Sequence, residues 1–113
     1  MWQEEVYRAL DGIPAASACF MYPDQWPDGT VITYAGLNDV PEELADDGEY
    51  TARIEIKVDI WDKEPAKTRD TARLVIQSLA AVGFTRTYCA DLYETQSRLH
   101  HKTMRFCRVE CTT

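Results

Sequence analysis

The stretch Glu49-Tyr50-Thr51-Ala52-Arg53-Ile54-Glu55-Ile56-Lys57-Val58-Asp59-Ile60-Trp61-Asp62 decides the architecture. Tyr50, Ala52, Ile54, Ile56, Val58 and Ile60 alternate with Thr51, Arg53, Glu55, Lys57 and Asp59. A period of two puts every apolar side chain on one face of a long β-strand and every charge on the other. The strand therefore belongs to a sheet with one dry face and one polar face. Arg53 and Lys57 alternate in sign with Glu55 and Asp59, as suits a face meeting water or a polar partner.

Outward from this strand, Asp62 reads as an N-cap and Pro65 fits the first helical turn, so a helix is expected up to about Val82, stopped by Gly83. Ala72, Val75, Ile76, Leu79 and Val82 form its apolar stripe. Phe84, Tyr88, Ala90 and Leu92 then alternate with Thr85, Thr87, Cys89 and Asp91, predicting a fourth strand, and His100 to Cys111 predict a fifth. In that last strand Met104 and Phe106 share one parity while Cys107, Val109 and Cys111 share the other, which predicts a bulge near Phe106 or burial on both faces.

On the N-terminal side, Trp2, Val6, Tyr7 and Leu10 are spaced as on a short amphipathic helix broken by Asp11, Gly12 and Pro14. Ala16 to Tyr22 and Thr30 to Ala35 read as two strands around a turn rich in Pro and Asp. Asn38 to Gly48, with its acids and Pro41, reads as a mobile loop. The expected fold is α+β: a mainly antiparallel sheet of about five strands, one long helix on its dry face and a short N-terminal helix. At 113 residues the chain is expected to be a single domain over 1–113.

The net charge of −7 is unevenly placed. Between Arg8 and Arg53 there is no Lys or Arg, but nine acids; from Arg53 onward eleven basic residues face eight acidic ones. Such segregation orients subunits against one another or simply keeps a loop solvated. No stretch approaches eighteen consecutive apolar residues, and the N-terminus lacks the pattern of a signal peptide, so the expectation is a soluble, cytosolic chain without membrane partners. Cys19, Cys89, Cys107 and Cys111 form no CxxC pair and are expected to be free, mostly buried thiols.

Chemistry finds little support. His100 and His101 are adjacent and point to opposite faces of a strand, and neither has a carboxylate or cysteine at metal-ligand spacing. The Asp46-Asp47-Gly48-Glu49 cluster lacks the ligand spacing of an EF-hand loop. Ser17, Ser78 and Ser97 lie outside any nucleophile elbow, and no glycine loop could cradle phosphate. Lys102, Arg105 and Arg108 around Phe106 do not form a clean stacking platform, and the acidic chain repels phosphate, so an ion-pair ladder across strands or subunits is the preferred reading. No enzymatic activity, metal or cofactor is expected.

Read in order, Ile32-Thr33-Tyr34, an acidic segment with Ala45-Asp46, the strand ending Val58-Asp59-Ile60-Trp61, the Gly83-Phe84 helix exit, Asp91-Leu92-Tyr93-Glu94 and His101-Lys102-Thr103-Met104-Arg105-Phe106 resemble the tail completion proteins, or tail terminators, of long-tailed bacteriophages. The resemblance runs over roughly residues 20 to 110. It implies a structural virion protein forming a ring, usually a hexamer, at the head-proximal end of the tail tube, with the tube protein and the head completion or connector protein as partners. It also implies assembly in the host cytoplasm and genomic DNA passing through the lumen without specific binding. The alternatives are another ring-forming neck or tail component, such as a tube or connector subunit, and a small non-viral protein-binding module. The residues expected at an oligomer interface or lumen are Arg53, Glu55, Lys57, Asp59, Asp39, Glu42, Glu43, Asp46, Asp47, Arg105 and Arg108.

Overall fold

A computed structural model of the chain describes residues 2–15, 17–20, 26, 28–44 and 50–112. In order these form α1 (Trp2–Asp11), β1 (Ser17–Phe20), β2 (Val31–Leu44), β3 (Tyr50–Asp62), α2 (Pro65–Ala81), β4 (Thr85–Glu94) and β5 (Leu99–Thr112). The fold is α+β. The strands make one sheet in the order β1-β2-β3-β5-β4, in which β2, β3, β5 and β4 are antiparallel and the short β1 joins β2 in parallel.

The alternation of β3 is realised as expected. Ile54, Ile56, Val58 and Ile60 are buried, and they pack with Ala72, Val75 and Leu79 of α2, Val6 and Leu10 of α1, and Met104 and Phe106 of β5. Both helices lie on this face; among the described residues no helix covers the other, the open face, although Val31, Thr33, Asp59 and His101 are buried at one end of it. Arg53, Glu55, Lys57, Asp59 and Trp61 therefore belong to the open face. Burying each large aliphatic side chain contributes roughly 1.5 to 3 kcal/mol, so this single face dominates the core.

Three expectations about elements are corrected. The residues from Asn38 to Leu44 are not a loop but the outer half of β2, paired with β3 as far as Leu44 opposite Tyr50. Two register shifts, between Gly36 and Asn38 and between Pro41 and Glu43, disguise the period. Pro41 sits at the second of these shifts, an irregularity of the ladder of the kind that accommodates a residue without an N–H, and among the described residues β1 pairs with β2 only from Val31 to Tyr34. The remainder of that expected loop, 45–48, lies outside the described residues.

The cap of α2 is Glu64, not Asp62, with Pro65 opening the helix. Asp62 instead accepts the Glu64 N–H at 2.8 Å on Oδ1 and the Thr30 hydroxyl on Oδ2, so it makes the turn before the helix and ties it to β2. The helix ends at Ala81 in a Schellman arrangement: Gly83 N–H donates to the Ala80 carbonyl at 3.0 Å and Phe84 N–H to the Leu79 carbonyl at 2.9 Å. Gly83 has φ +90°, and a Cβ there would also meet Cδ of Arg108 at 3.1 Å.

The bulge expected near Phe106 lies on the neighbouring strand. β5 keeps continuous register with β3 from Leu99's neighbour His100 to Thr112, whereas β4 shifts between Arg86 and Tyr88, leaving Thr87 as the extra residue. Thr87 Oγ1 donates to the Arg105 carbonyl at 3.3 Å. One inserted residue exchanges faces. Phe84 is buried in the core, yet Tyr88 and Leu92, expected on the same side, are half exposed on the open face, and Cys89 packs against the core instead. The β4–β5 connection is a tight turn in which Arg98 takes φ 59° and its N–H donates to the Glu94 carbonyl at 2.7 Å.

Candidate assembly surface

The open face of the sheet gathers five of the eleven residues expected at an interface or lumen, Arg53, Glu55, Lys57, Asp59 and Arg105, but it uses them in different ways. Arg53 and Glu55 are half exposed and lie 3.9 Å apart, a separation at which solvent screening leaves little energy. Arg105 is exposed and holds its guanidinium 5.5 Å from the Tyr88 ring. With Tyr88, Ala90 and Leu92 of the outer strand β4, these side chains make a mixed apolar and charged strip beside an unpaired strand edge.

Asp59 is not a free surface group. It is 3% exposed and takes a 2.6 Å bond from Nε2 of His101 and a 3.3 Å ion pair from Lys57. Burial pushes its carboxyl up, but hydrogen bonds from His101 and Thr103 and the charge of Lys57 outweigh that effect and hold it below the ordinary carboxylate range. Trp61 lies stacked on the His101 ring at 3.6 Å between centroids, and its indole N–H donates to Thr33 Oγ1 at 3.2 Å. Nδ1 of His101 lies 3.4 Å from Glu94. His101 thus stands between two carboxylates that sequence spacing could not reveal, because Asp59 reaches it from another strand. Its neighbour His100 lies against Tyr93, with centroids 4.9 Å apart. Among the described residues no group of three or more His, Cys, Asp and Glu side chains could hold a metal ion.

Arg108 is the clear correction among the expected interface residues. It shares the parity of Met104 and Phe106 and turns under the helices, its side chain only 12% exposed. Nη1 bonds Glu5 of α1 at 2.7 Å and the Val82 carbonyl at the end of α2 at 3.0 Å, Nη2 pairs with Glu110, and the guanidinium lies 4.8 Å from the Phe84 ring. It is an internal clamp between α1, α2 and β5. The hydrogen bond from Arg108 holds the Glu5 carboxyl below its usual value.

Asp39, Glu42 and Glu43 sit in the outer half of β2, where the backbone of Asp39 faces Ile54, that of Glu43 faces Thr51, and Glu42 falls at the second register shift. Asp46 and Asp47 lie outside the described residues. Among the described residues, β1 pairs with β2 only as far as Tyr34 and β4 pairs with β5 only as far as Cys107, so β2, β3 and β5 continue beyond them as a three-stranded arm. Cys89 and Cys107 are free thiols. Among the described residues no helix is long and apolar enough to cross a membrane.

A cavity of about 520 Å³ opens where the open face meets the 28–31 segment, lined by Trp26, Val31, Trp61, Glu94 and Leu99, with Asp28 and Lys63 at its rim. Trp61 enters the sequence reading only as the end of the long strand and Trp26 not at all, because at 35 positions apart nothing in the sequence shows that they meet.

No protein-family model matches the chain, and no curated protein matches it in sequence. A solved structure does match: one chain of a structure described as the virion of a native gene transfer agent (GTA) particle is similar at a TM-score of 0.72, over 93% of this chain and 90% of that one, with 14% sequence identity. At that identity the likeness is one of fold.

Proposed function

We propose that this chain is a structural, non-catalytic protein of a phage-type virion, and specifically a tail terminator that forms a ring, taken as six copies, at the head-proximal end of the tail tube. The observation that carries the reading is the fold shared over nearly the whole chain with a chain from a gene transfer agent virion. The ordered resemblance to tail completion proteins supplies the finer position. In this reading the half-exposed strip of Arg53, Glu55, Arg105, Tyr88 and Leu92 meets a neighbouring copy, and the acidic Asp39, Glu42, Glu43, Asp46 and Asp47 line the lumen. Negative charge there lets DNA slide without sticking. The tail tube protein and the head connector bind the two ends of the ring.

The same fold likeness supports another ring-forming neck or tail component, because it concerns a particle rather than a position within it. Deleting the gene in its phage and imaging the lysate separates the two. A terminator leaves unjoined heads and tails with tubes of irregular or excessive length, since nothing caps the growing end. Joined particles with defects only at the distal tip favour the other component, and normal infectious particles overturn both.

A further inference from the structure

The cavity beside Trp26 and Trp61 is not needed by the terminator reading, and its chemistry is specific. The two indoles meet edge to face, with centroids 5.3 Å apart and planes at 72°, so an aromatic face and an aromatic edge border the same space. Trp61 is fixed from behind by the His101 stack and by its bond to Thr33. Trp26 is 48% exposed, an unusual position for the largest apolar side chain unless something covers it. Leu99 and Val31 contribute apolar lining.

The charge at the rim is acidic. Glu94 is 47% exposed, with the His101 ring nitrogen 3.4 Å behind it, and Asp28 is fully exposed; among the described lining residues the cation is Lys63, which reaches Asp28 at 3.7 Å and is itself 72% exposed. Trp26 and Asp28 also belong to the segment between Arg8 and Arg53 that holds nine acids and no Lys or Arg. Indole faces with nearby carboxylates favour a weakly hydrated, planar cation: the guanidinium stacks on the ring and donates to the carboxylate in one pose.

We infer that this cavity is a docking site for an arginine side chain presented by a basic segment of a partner protein. The guanidinium lies against Trp26 and Trp61 and bonds Glu94, and it displaces Lys63 from Asp28. Lys63 then acts against binding, because it is a like charge at the rim.

The test uses the full chain labelled with ¹⁵N and an acetylated, amidated pentapeptide with one arginine between glycines, against the same peptide carrying uncharged citrulline. The expected result is saturable movement of the Trp26 and Trp61 indole signals, with a dissociation constant on the order of 1 mM. The Trp2 indole, which packs on Gly36 of β2, stays still. Citrulline binds at least about fivefold more weakly. Trp26→Ala abolishes the effect, Glu94→Gln weakens it about fivefold, and Lys63→Gln tightens it about twofold. All three positions are exposed enough for the variants to fold. Equal binding of the citrulline peptide, no saturable shift at the two indoles, or unchanged binding in Glu94→Gln overturns the assignment. None of these outcomes bears on ring formation, so the site stands or falls separately from the terminator role.

Discussion

Asp59 shows how one residue can be placed correctly on a face and still be misread. Its parity puts it on the open side of β3, and from the sequence it looks like one more solvated charge. His101, Thr103 and Lys57 instead enclose it, so its charge is buried and paired. The consequence for stability follows from the direction of its pKa. A carboxyl held below its unfolded value adds stability that is fully present above about pH 4, the ordinary range for Asp, and is lost as pH falls through the folded pKa. Thermal unfolding followed by circular dichroism should therefore show the native protein losing stability below about pH 4. In Asp59→Asn that acid limb should be flatter, and stability at pH 7 should be lower by about 3 kcal/mol, because His101 and Lys57 lose a buried partner. An unchanged acid limb in the variant would mean that the carboxylate network does not couple to folding.

The elements divide by how far their signals are local. β3 and α2 were legible because period two over thirteen residues and the Ala72-Val75-Leu79 stripe report burial directly. The outer half of β2 was not: its acids, Pro41 and two bulges erase the alternation, and it is a strand because β3 beside it offers a ladder. β4 was found but turned over, since nothing in Thr85-Arg86-Thr87-Tyr88 announces that Thr87 is a bulge. The candidate surface was half legible for the same reason. Parity puts Arg53, Glu55, Lys57 and Asp59 on the open face, while the ladder read from Lys102, Arg105 and Arg108 joins residues that point to opposite faces, Arg105 to the open one and Arg108 under the helices. That inward turn makes Arg108 the link between α1 and the rest of the fold. Arg108→Met keeps an aliphatic stem beside Gly83 and removes the guanidinium from the Phe84 ring together with its bonds to Glu5, the Val82 carbonyl and Glu110. Urea unfolding should show a lowered midpoint at an unchanged slope. Hydrogen exchange should rise selectively in α1. Uniform acceleration across the sheet would instead assign Arg108 to the core as a whole.

At the scale of the whole molecule, both helices cover one face of the sheet, so among the described residues self-association has the open face, the outer edge of β4 and the part of β2 beyond Tyr34 to use. The charges on that face are not interchangeable as probes of assembly. Lys57 lies 3.3 Å from the buried Asp59, and reversing it would press two carboxylates together and unfold the monomer before any contact between copies was tested. Arg53 and Arg105 are exposed, and reversing them presses no carboxylate against a buried one. If a ring forms through this face, Arg53→Glu combined with Arg105→Glu places like charge against the neighbouring copy, which costs specificity and on-rate at low salt. Native mass spectrometry should then show the assembled species of the unaltered protein replaced by the 12.9 kDa monomer, with the circular dichroism spectrum and melting temperature retained. Raising the salt concentration should partly restore assembly, because screening weakens the introduced repulsion. An unchanged oligomer mass in the double variant would move the contact off the open face, leaving the edges of the three-stranded arm as the surfaces through which copies join.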